Sequence, residues 1–125
     1  HGRNTYPRFD LVLLGMGADG HTASLFPGTT AIYERERLVV ADYVQRLNGW
    51  RVSLTPPVIN AAAQVTFLVS GLRKAERLRQ VLTGPYRPDI MPAQVVKPVQ
   101  ECLSWLIDAQ AADQDLRRMF GWSTT

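Results

Sequence analysis

Phe9-Asp10-Leu11-Val12-Leu13-Leu14-Gly15-Met16-Gly17-Ala18-Asp19-Gly20-His21-Thr22-Ala23-Ser24-Leu25-Phe26-Pro27 is the stretch whose reading decides the fold. Residues 11–14 are an apolar run bounded by Asp10 and Gly15. Such a run between turn signals reads as a fully buried strand of a parallel sheet, with a neighbour on each side. Gly15, Gly17 and Gly20 follow, together with Asp19 and His21. Glycine lets backbone turn tightly and approach a ligand, because it has no Cβ. In open α/β sheets, ligands bind beyond the carboxyl ends of the strands. Asp19 and His21 therefore stand where such a fold does its chemistry.

Outward from this stretch, strands alternate with helices. Residues 38–41 read as a second short strand. Residues 42–50 read as a connection that ends in Asn48-Gly49. Residues 51–54 alternate polar and apolar, as a half-buried strand does. Thr55-Pro56 predicts a helix to about Ala63, with threonine as its N-cap and proline in its first turn. Residues 65–69 form another buried strand. Residues 72–82 form an amphipathic helix on Leu72, Ala75, Leu78 and Leu82, stopped by Gly84-Pro85. Residues 22–26 read as a short helical turn, 93–97 as extended and 103–107 as a final strand. Asp108 is the expected cap of a last helix. Residues 1–8 read as a polar connector, and the tail 117–125 has no assignment. This order argues for a layered α/β fold with a mostly parallel sheet.

The 125 residues suit one domain with a real core, and 46% are hydrophobic. No apolar run approaches the roughly 20 residues of a membrane helix. The polar start shows no secretory leader. Cys102 is the only cysteine, so no disulfide closes within the chain and a reducing, cytoplasmic setting is expected. The net charge of +3 is mild. It lacks the basic stripe with interleaved aromatics of a nucleic-acid surface, and suits an anionic small substrate. A chain that begins at His1 and reaches a buried-type strand within ten residues reads as one entered in the middle of a domain.

Several residues carry the chemistry. His21 can take or give a proton near neutral pH. Asp19 either orients and charge-stabilises its ring or caps the turn at Thr22, and spacing alone leaves both open. No metal site is expected, because His1 is the only other histidine and there is no Cys/His ligand cluster. Arg73 and Lys74 open the helix after Gly71, where cations oppose the macrodipole unless an anion such as phosphate is bound. Arg77 and Arg79 read as a solvated face. Arg51 opens a strand and faces either the sheet end or water. Ser24, Ser53 and Ser70 lie in no nucleophile elbow. A second reading takes Gly15, Gly17 and Gly20 as a dinucleotide loop, with Asp42 at ribose distance. That reading needs a long helix from Gly20, for which Pro27-Gly28 leaves little room.

The segment from Leu13 to Gly28 resembles the signature of the 6-phosphogluconolactonase family. Further similar blocks follow in order: Trp50-Arg51-Val52-Ser53-Leu54-Thr55, Pro57-Val58-Ile59-Asn60-Ala61-Ala62 and Phe67-Leu68-Val69-Ser70-Gly71 with Lys74-Ala75. Pro92-Ala93-Gln94, Trp105 and Asp108-Ala109 complete them, and the resemblance reaches about Ala112. Related amino-sugar phosphate isomerases share the Gly-Asp-Gly-His core, but Thr22-Ala23-Ser24-Leu25-Phe26-Pro27 favours the lactonases. The resemblance implies a three-layer α/β/α sandwich with a mostly parallel, Rossmann-like sheet. It implies hydrolysis of 6-phosphogluconolactone in the oxidative pentose phosphate pathway, without cofactor, metal or nucleotide. His21 falls on the family's proposed general base, and Asp19, from the residue reading above, is taken as catalytic beside it. Arg51 and Lys74 fall on its phosphate contacts. Beside the resemblance, Gly17 and Gly20 are read as substrate-binding, and the loop amides around Gly17 to Gly20 as donors for the developing oxyanion. The glycine-rich phosphate loop and the acidic-arginine motif of the family's N-terminal half are absent. The chain thus reads as the C-terminal portion of one such domain, over residues 1–125, with the N-terminal half as its partner. Gln100-Glu101 stands where the family often has glycine. A non-catalytic fragment is the remaining alternative.

Overall fold

The structure is a computed structural model that describes residues 6–122. Residues 1–5 of the expected connector and 123–125 of the tail lie outside the described residues. Five strands and three α-helices follow in the order β1 (Val12–Leu14), β2 (Val39–Val44), β3 (Gly49–Leu54), α1 (Pro56–Asn60), β4 (Val65–Val69), α2 (Ala75–Thr83), β5 (Leu103–Ile107) and α3 (Gln114–Phe120). β1, β4 and β5 make a parallel sheet in the order β1-β4-β5, with Leu14 opposite Phe67 and Phe67 opposite Trp105. Because these strands run parallel, the loops that leave β1, β4 and β5 gather at one end of the sheet. The α/β class and the parallel sheet expected from the sequence are found.

Alternation along the strands sorts the two faces. Leu14, Val65, Phe67 and Val69 turn into the core, which Ile59 of α1, Leu78 of α2 and Leu116 of α3 join. The rings of Phe67 and Trp105 stack at 4.0 Å there. The opposite face carries Leu13, Leu68 and Leu106, which are 58%, 47% and 59% exposed. The described residues therefore clothe one face of the sheet in helices and leave the other open. β1, expected as a buried strand between two neighbours, pairs only with β4 among the described residues, and Leu11 and Leu13 face water.

The second sheet departs most from expectation. β2 and β3 form an antiparallel hairpin, with Asp42 opposite Arg51 and Tyr43 opposite Trp50. The connection expected over 42–50 is mostly strand; only the 3-10 turn Gln45–Leu47 and Asn48 intervene, and Asn48 adopts φ 51. Asn-Gly is a strong hairpin signal, since a tight turn between twisted strands needs positive φ.

Smaller corrections have local causes. Residues 22–25 form a turn, not a helical one, closed by the Leu25 N–H on the Thr22 carbonyl, with Ala23 at φ 51. Thr55 stands at the N-cap of α1, but its hydroxyl donates to the carbonyls of Arg37 and Leu38 instead of capping, and α1 ends at Asn60. Leu72 lies in a 3-10 turn (Leu72–Lys74) ahead of α2 and is 73% exposed; the buried face of α2 is Ala75, Leu78 and Val81. Residues 93–97 are not extended, because Pro92–Val95 forms a buried 3-10 turn. Asp113, not Asp108, caps α3, accepting from the Leu116 N–H at 2.7 Å. In the tail, Phe120 and Trp122 stack at 5.0 Å.

Candidate active site

The loop after β1 is shaped by two of its three glycines. A Cβ on Gly17 would stand 2.3 Å from both Cε1 and Nδ1 of His21 and 2.7 Å from an Asp19 oxygen. Gly20 has φ +86, and a Cβ there would come within 3.3 Å of the Met91 Cα. Gly15 has open space around it, so its place does not require glycine. The Thr22 hydroxyl, almost wholly buried, donates to the Gly15 carbonyl at 2.7 Å and closes the loop from its far side.

Inside this loop Asp19 and His21 meet. One carboxylate oxygen accepts the His21 backbone N–H at 3.0 Å and lies 2.6 Å from the ring Nδ1. The carboxylate is thus turned to His21, ring and backbone, and makes no bond to Thr22 among the described residues. Burial alone would raise the Asp19 carboxyl. The hydrogen bonds from the His21 backbone and ring, the electrostatic pull of that ring whenever it carries a proton on both nitrogens, and the Arg46 guanidinium together outweigh it and hold the group below the usual carboxylate range. An ionised carboxylate only accepts, so Nδ1 donates and the neutral ring keeps its lone pair on Nε2. The ring also stacks on Phe26 at 4.3 Å, and the His21 side chain remains 29% exposed. It is neither sealed among apolar groups nor loose in water.

The loop amides around Gly17 to Gly20 fall into two groups. The Gly17 N–H donates to the His21 carbonyl and the Gly20 N–H to the Gly17 carbonyl, both at 2.9 Å. Gly17 and Gly20 thus shape the loop, and their own amides are engaged within it. Among the described residues, the amides of Ala18 and Asp19 make no such bond.

Lys74 ends the 3-10 turn that follows β4 and occupies the N-cap of α2, so it stands at the same sheet end as the His21 loop. The turn is tied down by Asp108 after β5, whose two oxygens accept the Gly71 N–H at 3.1 and 3.2 Å. Arg51 lies on β3, exposed, with its guanidinium donating to the Trp50 carbonyl at 2.9 Å. No hydrogen bond or ion pair among the described residues joins Arg51 or Lys74 to Asp19 or His21. Arg77, read as part of a solvated face, instead lays its aliphatic stem near Gly20.

Other candidates prove structural. Ser53 accepts the Ser24 N–H at 3.0 Å, pinning β3 to the loop after His21. Asp42 accepts from the Thr30 hydroxyl and, at 2.7 Å, from the Ala31 N–H. No helix starts at Gly20, so the helix N-terminus that a dinucleotide pyrophosphate needs is missing from this loop. Among the described residues, no group of three or more potential ligands could hold a metal, and no helix is long and apolar enough to cross a membrane. The residue that sequence reasoning missed is Arg46, whose Nη2 donates to the second Asp19 oxygen. Twenty-seven residues separate the two, and no local pattern signals such a pairing.

Comparison with known proteins bears on this site. A family model described as glucosamine-6-phosphate isomerases/6-phosphogluconolactonase matches residues 1–105. A 6-phosphogluconolactonase from Synechocystis sp. is 43% identical over 109 residues, covering 86% of this chain and 44% of that protein. The Rattus norvegicus 6-phosphogluconolactonase is 42% identical over 87% of this chain and 42% of its own length. A crystal structure of 6-phosphogluconolactonase from Leishmania guyanensis superposes with a TM-score of 0.75 at 31% identity, over 87% of this chain and 42% of that one. The chain therefore spans under half the length of these relatives.

Proposed function

Since this chain belongs to the family of glucosamine-6-phosphate isomerases and 6-phosphogluconolactonases, we propose that the protein hydrolyses 6-phospho-D-glucono-1,5-lactone to 6-phosphogluconate in the oxidative pentose phosphate pathway, in the cytoplasm, with His21 as general base. The observation that carries this reading is the hydrogen bond between Asp19 and Nδ1 of a part-exposed ring at the carboxyl end of a parallel sheet. Nε2 takes a proton from the water that attacks the lactone carbonyl. The tetrahedral intermediate collapses, and His21 returns the proton to the departing ring oxygen. Asp19 stabilises the imidazolium formed in between. Amides of the same loop that make no internal bond, those of Ala18 and Asp19, are the donors available to the developing oxyanion. Lys74 and Arg51 hold the 6-phosphate as charge-assisted donors. The reaction as written calls for no metal or nucleotide.

The rest of the same domain is the proposed partner. The relatives are more than twice as long as the stretch they share with this chain. The leucine-lined open face of the sheet offers that partner an apolar seat.

Lactone hydrolysis by the full-length protein, corrected for spontaneous ring opening, tests the reading. His21→Asn is expected to lower kcat by about 10²–10⁴-fold, the usual contribution of a positioned base. Unchanged turnover removes His21 from the chemistry.

A further inference from the structure

Arg46 lies in the 3-10 turn that joins β2 to β3, and it reaches out of the hairpin to the loop after β1. The Asp19 carboxylate is thereby held from both ends, His21 on one oxygen and Arg46 on the other. The Arg46 guanidinium also stands 5.8 Å from the centre of the Phe26 ring, which itself stacks on His21. Ser53 fastens the other strand of the hairpin to Ser24 in the same loop. An aspartate bound only to a histidine can turn about its broad terminal torsion and exchange that bond for water. A second, cationic anchor removes this freedom.

We propose that Arg46 is a positioning residue: it locks the Asp19 carboxylate so that His21 is kept as the Nδ1–H tautomer, with Nε2 presented to substrate. The proposal rests on the reading of His21 as the base. It assigns the β2–β3 hairpin the task of setting that base's orientation from outside its own loop.

The test uses the full-length protein with Arg46→Gln and Arg46→Lys, and reads ring tautomer by ¹⁵N NMR alongside steady-state kinetics. Arg46→Gln is expected to give a mixed tautomer and a kcat about tenfold lower, with KM within about twofold, the pattern of a lost orienting group. Arg46→Lys keeps a cation at the site and is expected to restore the single tautomer and most of kcat; it also reports if the glutamine variant fails to fold. An unaltered tautomer in Arg46→Gln, a loss confined to KM, or a lysine variant with mixed tautomer overturns the proposal. His21→Asn separates the two readings. If it turns over normally, the general-base reading fails, whereas the tautomer measurement still reports whether Arg46 sets the ring.

Discussion

Gly17 lies against the imidazole of His21, so close that a methyl group on it would stand 2.3 Å from two ring atoms. The clash is with the end of a side chain, which can swing away at little cost in stability. What it cannot do is swing away and keep its 2.6 Å contact with Asp19. Gly17→Ala is therefore expected to melt near the parent temperature while losing about 10²-fold or more in kcat, as when a positioned base is displaced. Parallel melting curves and turnover measurements check this; a variant with full kcat shows that the ring position is immaterial.

Lys74 offers a single charged donor at the start of α2. If it holds the substrate phosphate, its removal acts on ground state and transition state alike. Lys74→Ala is expected to raise KM by about 10- to 100-fold, the equivalent of one hydrogen bond to a charged group, with kcat much less affected. Inorganic phosphate should inhibit the parent protein and lose that effect in the variant.

Glu101 sits at φ 58, a conformation that costs a side-chain-bearing residue roughly 1–2 kcal/mol. It belongs to the Gln100-Glu101 pair, which stands where resemblance to the lactonases suggested glycine. Glu101→Gly relieves the strain but frees the unfolded chain, which takes back about 0.4–1 kcal/mol. The net expectation is a gain of roughly 0–1 kcal/mol in chemical denaturation, against the usual sign for a new glycine.

Acid should loosen the ends of β1 and β5. Asp108 is held below the usual carboxylate range by hydrogen bonds from the Ala111 and Gly71 N–H groups, and Asp19 by those of His21 and Arg46 against the opposing effect of burial. A carboxyl whose folded value is depressed adds stability that is complete above its unfolded value. That stability disappears as pH falls through the folded one. Denaturation midpoints are thus expected to drop as pH falls below the ordinary carboxylate range. In Asp108→Asn the difference between neutral and acid midpoints should shrink, because one of the titrating anchors is gone.

The parallel sheet was legible because buried strands announce themselves. Residues 65–69 and 103–107 are apolar apart from one small hydroxyl residue each, Thr66 and Ser104, and β4 and β5 occupy those positions. The histidine loop was legible because its crowding leaves no room for side chains at Gly17. The hairpin was hidden by Asp42, a polar residue in the middle of β2 whose carboxylate is spent on Ala31 and Thr30. Alternation with a charged residue on the inner face looks like a loop until the partner is known. Leu72 misled for a related reason: helical spacing holds only if the helix has begun, and α2 begins three residues later. Arg46 was out of reach altogether, since its value depends on a hairpin folding back over a loop far away in sequence.

Leu13, Leu68 and Leu106 have a practical consequence. Placed alone in buffer, a polypeptide with such an oily flank tends to cling to its own copies, and more so as it is concentrated. Light scattering on residues 1–125 should show clumping that recedes when the remaining half of a family member is co-expressed. A poor yield from bacteria would then reflect surface chemistry, with no defect in the end of the sheet that carries His21.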